Sequence, residues 1–551
     1  MSANQGPSSS SPRRRNLGAW GFEGESFPPS PQLLDLLHGQ LGETPHALPR
    51  RSDAIVPAPA ALPTFPAATS TEGADRLACS RGQGITDLIR LRTGTVPAYP
   101  DAVVRPSNEA EVETTLAACS AAGVRVIPRG GGTSVTGGVN VIPGDSPIVV
   151  LDLSALDGLL TLDDRSALAT FWAGTPGPSV EAALGARGYT LGHFPQSWEL
   201  STVGGWAAAR ASGQESFRYG SMSDLVAGLE LVAPAGRLSI PALPNSAAGP
   251  DLRQLVIGSE GRLGVITRAT VRVRPKPARM VVDAALMPSW EQGAEACRAL
   301  AQEEVPLALL RLSDSPETDV AMAVGLAHFG AISGLIRRFW KIRGIGSQGC
   351  LMLMGAVGDE STVRKTLARA RGVGARFGRV GLGTGAGEHW RRDRFRHPYL
   401  RDSLMDVGVT TDTFETAVPW SKVQGLYDAV RAALYGALES ETEKCVVMCH
   451  LSHPYIDGTS MYFTFFFRSA KDVETTVARW AALKRAATTA LVGAGGALSH
   501  HHGVGNWHAP WLEKETGADG LKLVAAAART FDPQGLLNPH VLLDPVDRLT
   551  V

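Results

Sequence analysis

The sequence predicts an α+β fold in two domains, on three observations. The chain has 551 residues, 44% of them hydrophobic and 19% charged, and a single core rarely grows beyond roughly 250 to 300 residues. Between 93 and 277 short strand and helix patterns alternate and are crossed by glycine-rich turns. From 278 to 498 strands and helices continue to mix, and 499–551 forms a closing segment.

The elements follow in order. Residues 1–15, "MSANQGPSSSSPRRR", are rich in Ser and Pro and have no apolar period, so they read as a disordered tail, with Arg13, Arg14 and Arg15 as a solvated basic run. Residues 16–92 form a wrapping segment; the prolines between Ala47 and Thr69 block helix and central strand alike. Next, "EAEVETTLAACSAAG" is an amphipathic helix ending at Gly123, and "VRVIP" is a strand. "PIVVLDL" and "SALATFWAG" read as strands and "PSVEAALGARG" as a helix. Val265 to Val273 alternate apolar and polar positions, the period of a half-buried strand.

In the second domain "VVDAALM" and "MYFTFFF" are strands and "VARWAALKRAATTALV" is a helix. As a strand, "MYFTFFF" puts Tyr462, Thr464 and Phe466 on one face and Phe463 and Phe465 on the other. The segment Val324–Gly344 is apolar, then basic with aromatics. It reads as a buried cap helix with a solvated end, or as a segment that meets a membrane or guides an acyl chain. "LKLVAAAARTFDPQGLLNP" is a helix stopped by Asp532 and Pro533.

Composition excludes several classes. Fifty-three basic residues balance fifty-three acidic ones, so no net field favours nucleic acid. The six cysteines (79, 119, 297, 350, 445 and 449) contain no CxxC pair, which argues against a disulfide framework and a zinc ribbon and for a reducing compartment. No apolar run reaches the roughly 18 residues of a membrane span, and no signal core or targeting leader follows the N-terminus. The expectation is a cytoplasmic protein.

"PRGGGTSVTGG", Pro128 to Gly138, directly follows a strand. Its glycines let backbone N–H groups approach a phosphate, and Thr133, Ser134 and Thr136 add hydroxyls. Without GK[ST] it is not a P-loop, and without GxGxxG it is not a Rossmann turn. Two more glycine-punctuated stretches, Gly192–Gly236 and Gly258–Thr267, would suit an extended dinucleotide threading one domain. Three consecutive histidines in "SHHHGVGNW", Ser499 to Trp507, leave three readings: a metal site, a proton-handling cluster or core residues.

The order "RGGGTSVTGG", then "STVGG" with "ASG" and "YG", then "GSEGRLGVIT" resembles the FAD-binding domain of the vanillyl alcohol oxidase and p-cresol methylhydroxylase superfamily. The resemblance implies a two-subdomain PCMH-type FAD-binding domain, an α/β cap domain for substrate, and a C-terminal segment returning to the flavin. FAD is then expected against Pro128, Arg129, Gly130, Gly131, Gly132, Thr133 and Ser134 of the first loop. In the second stretch the candidates are Pro195, Gln196, Ser197, Ser201, Thr202, Gly204, Gly205, Ala208, Arg210, Ala211 and Ser212; in the third, Glu260, Gly261, Gly264, Val265 and Ile266. Covalent attachment there usually needs a histidine in or near the first loop; none lies between Pro128 and Gly138, so FAD is expected to be noncovalent.

Within the superfamily, hydroxy-acid dehydrogenases of the D-lactate type carry HxGDGNxH and a later Glu-His-Gly. Here "CHLSHPYIDGTSMYFTFFF" lacks GDGN, and His501 stands where that branch has glutamate. The chain instead is similar, over roughly 15–545, to the alkyldihydroxyacetonephosphate synthase family, through "LGAWGF", "PQSWELSTVGGW", "LLRLSDS", "PYLRDSL", "FETAVPW", "SMYFTF" and "SHHHGVG". It departs at Asn506, where that family often has lysine.

The resemblance implies that the acyl chain of acyl-glycerone phosphate is exchanged for a fatty alcohol, with flavin N5 as nucleophile and no net redox change. The alternative is an FAD-dependent oxidase or dehydrogenase of an alcohol or 2-hydroxy acid. Partners would be lipid substrates, with peripheral membrane contact and a homodimer. Residue by residue, Arg401 corresponds to the substrate-phosphate arginine, chemically apt as a two-donor guanidinium, with an ion pair to Asp402 or Glu415 as the other reading. Tyr462 corresponds to the proton donor and acceptor, and its phenol would need a nearby cation to act as a base. Arg311 matches an arginine needed for activity, and a structural ion pair is its other reading. His500, His501 and His502 become a proton-handling cluster near the flavin. No metal is expected: an extended chain would set His500 and His502 opposite His501, and no carboxylate or thiolate cluster of recognisable spacing accompanies them.

Overall fold

The computed structural model of the chain describes residues 13–51, 54–325, 345–438 and 443–551. A first sheet, ordered β1-β2-β4-β3, is built from β1 (Ala68–Ser70), β2 (Ala102–Arg105), β3 (Arg125–Arg129) and β4 (Ile148–Asp152). β2 and β3 both run parallel to β4. The helix Glu109–Ala122 connects β2 to β3; Asn108 caps its start by accepting the Glu111 N–H, and Gly123 ends it at φ 67°. Its Val112, Leu116 and Cys119 are buried with Val126, Val149 and Leu151.

The chain then makes β5 (Leu159–Asp163), β6 (Leu168–Trp172), the short β7 (Tyr189–Thr190), β8 (Val226–Ala233), β9 (Gly236–Ile240), β10 (Val265–Arg272) and the short β11 (Arg274–Pro275). Five of these form an antiparallel sheet ordered β5-β6-β10-β8-β9, and β7 pairs with β11. The alternation read between Val265 and Val273 is this central strand β10.

The second half is one seven-stranded antiparallel sheet of β12 (Arg279–Met287), β13 (Leu309–Ser313), β14 (Cys350–Gly358), β15 (Val380–Gly383), β16 (Val409–Pro419), β17 (Cys445–Pro454) and β18 (Gly458–Arg468), ordered β15-β12-β14-β13-β17-β18-β16. Phe463, Phe465 and Phe467 of β18 pack into the larger core with residues of the helices Trp290–Gln302, Glu360–Ala375, Val423–Gly436 and Val473–Gly493. Tyr462, Thr464 and Phe466 line a cavity on the opposite face. A period of two on a half-covered sheet produces this division.

The helix Leu512–Phe531 ends at Asp532, whose carboxylate accepts the Leu537 N–H at 2.7 Å. Beyond it the chain returns to the first sheet: Leu537 bridges Val126 in parallel, and the Asn538 N–H donates to the Val126 carbonyl at 2.8 Å. At the other end Arg13–Arg15 are exposed, as a solvated run would be, but Arg13 and Arg15 are tied to the fold, while residues 1–12 of the expected disordered tail lie outside the described residues. Arg13 pairs with Glu25, and Arg15 bridges Phe22 and donates to the Gly131 carbonyl at 2.6 Å. Gly18 and Gly21, at φ 67° and 77°, turn this segment back on itself. The six cysteines are free and buried. The apolar-then-basic segment Val324–Gly344 lies, from 326 on, outside the described residues. Among the described residues no helix is long and apolar enough to cross a membrane.

Candidate functional site

A cavity of about 1190 Å³ runs from the glycine loop after β3 to the polar face of the seven-stranded sheet. On the loop side there is no room for side chains. A Cβ on Gly131 would overlap the Leu200 carbonyl oxygen, one on Gly130 would overlap Thr202 Oγ1, and one on Gly204 would stand 2.6 Å from Ala173 Cβ. Gly132, at φ 64°, sits against the Arg129 guanidinium. Hydroxyls shape the same wall: Ser134 accepts the Gly138 N–H at 2.9 Å, and Thr202 caps the helix Val203–Ala208. A bare-backbone wall of this length fits an extended dinucleotide.

The FAD candidates of the sequence line this cavity, with two exceptions. Val265 is fully buried in the core between the first two sheets, because β10 alternation turns its side chain away from its lining neighbours Gly264 and Ile266. Arg210, at φ 52°, donates to Gln254 Oε1 at 3.0 Å instead. Glu260 also clamps a distant segment, since its carboxylate accepts the Val504 and Gly505 N–H groups at 2.7 and 2.9 Å and so holds the end of the histidine run. Burial pushes its pKa up to about 7, against those two bonds.

The sheet side assembles by register. Glu415 of β16, Tyr462 of β18 and His450 of β17 are directly opposite one another, and His450 is opposite Ser313 of β13, two residues from Arg311. Opposed residues in antiparallel strands share a face. His450 stacks on Tyr462 with ring centroids 4.8 Å apart. Glu317, from the helix Ser315–Gly325, accepts from Arg311 Nη2 at 2.7 Å and stands 3.1 Å from His450 Nδ1. Burial opposes ionisation of Glu317, but His450 and Arg311 override it and hold the carboxyl well below the usual range. Arg311 thus takes a structural ion pair and lines the cavity at once.

Tyr462 donates its hydroxyl to Thr413 Oγ1 at 2.9 Å, and burial pushes the phenol up to about 12. Arg401, on the helix His397–Met405, donates Nη1 to the Gln83 carbonyl at 2.8 Å. Its Nε lies 3.4 Å from Asp402 Oδ1, and its buried Nε and Nη2 have no hydrogen-bond partner. The residue lines the cavity, and a guanidinium there fits an anionic ligand.

The histidine run is a bend, not the extended chain the sequence suggested. The N–H groups of His500, His501 and His502 all converge on Glu415, those of His501 and His502 at 3.1 and 2.8 Å, and Ser499 Oγ donates at 2.9 Å. His501 and His502 line the cavity and face Tyr462, with centroids 6.1 and 5.6 Å away. His500 is not part of the lining; its Nδ1 meets His501 Nδ1 at 2.8 Å and its Nε2 meets the Tyr455 hydroxyl at 2.6 Å. Burial lowers the pKa of all three imidazoles, that of His501 farthest. Burial would raise Glu415, yet the surrounding imidazoles and N–H donors outweigh it and hold it well below the carboxylate range.

No carboxylate of recognisable spacing accompanies the run in sequence, but the fold brings Glu415 to it from 84 residues away. Two sets, His453–His500–His501 and Glu415–His501–His502, have ligand atoms within 4.8 Å of one another. Several of these groups already carry hydrogen bonds. Glu415 takes four donors, His453 Nδ1 meets Ser216 Oγ at 2.6 Å, and the His500 nitrogens are both engaged. Sequence reasoning missed Glu415, Glu317, His450 and Thr413. The signal was present in "TTDTFETAV", where Thr411, Thr413 and Glu415 repeat every second position on one face of a strand.

Residues 100–240 match the FAD binding domain family and 276–542 the family of FAD linked oxidases, C-terminal domain, and the chain is a FAD-binding protein. A solved structure of p-cresol methylhydroxylase with substrate bound has the same fold, with a TM-score of 0.64 at 13% identity over 87% of this chain and 94% of that one. A solved alkyldihydroxyacetonephosphate synthase superposes with a TM-score of 0.81 at 25% identity, over 95% of this chain and 98% of the other. The alkyldihydroxyacetonephosphate synthase of Caenorhabditis elegans is 31% identical over 86% of this chain and 81% of its own. By this identity and coverage, the chain belongs to the alkyldihydroxyacetonephosphate synthase family.

Proposed function

We propose that the protein exchanges the acyl chain of acyl-glycerone phosphate for a fatty alcohol, forming an ether without net redox change. The observation that carries the reading is Arg401: this partly paired guanidinium lines a cavity that is also lined by the apolar Leu33, Val320, Met322, Leu351, Leu353 and Trp390. A phosphate and a long chain are what such a cavity accommodates together. FAD held along Gly130–Ser134, Pro195–Ser212 and Glu260–Ile266 supplies, when bound, nucleophilic catalysis at N5.

This chain's own residues bind and move protons. Arg401 holds the phosphate. Tyr462, protonated at neutral pH because burial raises it, is a hydrogen-bond donor and proton source at the reacting carbon. His501 and His502, kept neutral by burial, are acceptors beside it. Arg311, tied to Glu317 and stacked His450, fixes the plane of the Tyr462 ring from the other side. No step calls for a metal. The reading includes a cytoplasmic homodimer working peripherally at the membrane, which supplies both lipid substrates.

The test is product formation. Holoenzyme given acyl-glycerone phosphate and labelled hexadecanol is expected to yield an alkyl product. Tyr462→Phe and His501→Ala should each lose about a thousandfold in kcat while retaining FAD absorbance, and a chelator should change nothing. Anaerobic bleaching of the flavin by a hydroxy acid, with no alkyl product, would overturn the reading in favour of a dehydrogenase.

A further inference from the structure

The reaction proposed above releases a proton into the cavity. The C1–O bond to the acyl group breaks, a C1–O bond to the alcohol forms, and the alcohol gives up its hydroxyl proton. Near neutral pH the fatty acid leaves as carboxylate, so one proton per turnover must reach solvent. No oxidant or reductant enters this balance.

From the cavity outward, His501 lines the wall, and its Nδ1 lies 2.8 Å from His500 Nδ1. His500 Nε2 lies 2.6 Å from the hydroxyl of Tyr455. Tyr455 sits in the β17–β18 turn and is 42% exposed, beside Ile456 at 61%. We infer that Tyr455, His500 and His501 form the proton exit from the cavity to solvent, resting on the reaction proposed above.

Each imidazole has one nitrogen toward the cavity side and one toward the surface, so each can accept on one and release from the other. A proton landing on His501 Nε2 displaces the Nδ1 proton to His500 Nδ1. His500 then hands its Nε2 proton to the Tyr455 oxygen, which releases its own to water. No phenolate forms. Burial keeps both imidazoles neutral between transfers, as a relay needs.

The groups facing the chain are Glu415, which orients all three histidine N–H groups, and His502. His453 stacks 5.0 Å from His500, and Asp224 and Asp457 lie near Tyr455. Glu415 supplies the negative charge that lets a proton pass through this stretch.

Turnover of wild-type holoenzyme and Tyr455→Phe is compared at constant pH and ionic strength while imidazole buffer is raised from near zero. In low buffer Tyr455→Phe should be slower by about tenfold in kcat, with an enlarged solvent deuterium effect and unchanged FAD content. Added imidazole should restore its rate and leave the wild type indifferent. A Tyr455→Phe rate equal to wild type in low buffer, or a slowed rate that imidazole does not restore, would overturn the exit path. Absence of alkyl product in the wild type would overturn the parent reaction, and the path with it.

Discussion

Gly131→Ala is expected to yield a folded protein that purifies nearly colourless, with FAD affinity lower by about a hundredfold, or about 2.7 kcal/mol. The added Cβ would overlap the Leu200 carbonyl oxygen and stand 2.8 and 2.9 Å from Leu200 C and Ser201 Cα. All three are backbone atoms, so no rotamer change relieves the clash. Either the first loop retreats into the cavity or the second gives way, and overpacking of this kind costs about 1–3 kcal/mol. Both segments line the cavity in which FAD is proposed to lie, so the cost is expected to fall on cofactor binding. Gly39→Ala is the control: Gly39 is an exposed residue of the helix Pro31–Leu41 with open space around its Cβ position. It should bind FAD normally and gain about 0.5–1 kcal/mol of stability. Equal flavin content in Gly131→Ala and wild type, read from absorbance after gel filtration, would remove the glycine wall from the cofactor site.

Arg401→Met is expected to lower kcat/KM by about a hundredfold to ten-thousandfold, chiefly through KM, with FAD retained. Two charge-assisted hydrogen bonds to a phosphate, at about 1.5–3 kcal/mol each, and a tenfold change per 1.4 kcal/mol set that range. Arg401→Lys should recover only part, because an ammonium cannot present two parallel donors. The substitution also touches Asp402, whose carboxyl burial already pushes up and which Arg401 pulls back down. Without the guanidinium it rises further. A carboxyl raised above its unfolded value contributes most when protonated, and that contribution is lost as pH rises. The Tm deficit of Arg401→Met should therefore grow as pH rises above the ordinary carboxylate range, and Asp402→Asn in the same background should remove the growth. An unchanged KM would end the phosphate role.

How far the sequence reached depended on the range of the interactions. Local signals carried well: Gly123 ends its helix in the left-handed region as its position after "SAA" implies, and alternation along "MYFTFFF" divides Tyr462 from Phe463. The glycine loops were legible because their spacing is local and chemically unusual. What was not legible were pairings between distant segments. Nothing near Ser499 in sequence announces Glu415, and an isolated histidine run is read as extended until the carboxylate that bends it is known. The contact of Arg15 was not legible for the same reason: its partner, the Gly131 carbonyl, lies 116 residues away. Val265 was misassigned because a motif names consecutive residues, whereas a strand turns every second one to the core.

The return of the C-terminal segment to β3 has a consequence for how the molecule forms. Asn538 donates to the Gly138 carbonyl across 400 residues of sequence, and Glu260 receives the N–H groups of Val504 and Gly505 across 244 and 245. Closing loops of that length slows folding more than it weakens the folded state. The glycine loop itself is tied to Arg15 and to Asn538 across 116 and 400 residues. The histidine bend, clasped between Glu415 on one side and Glu260 on the other, can be set only after both halves exist. The histidine bend and the glycine wall therefore share this dependence on long-range closure.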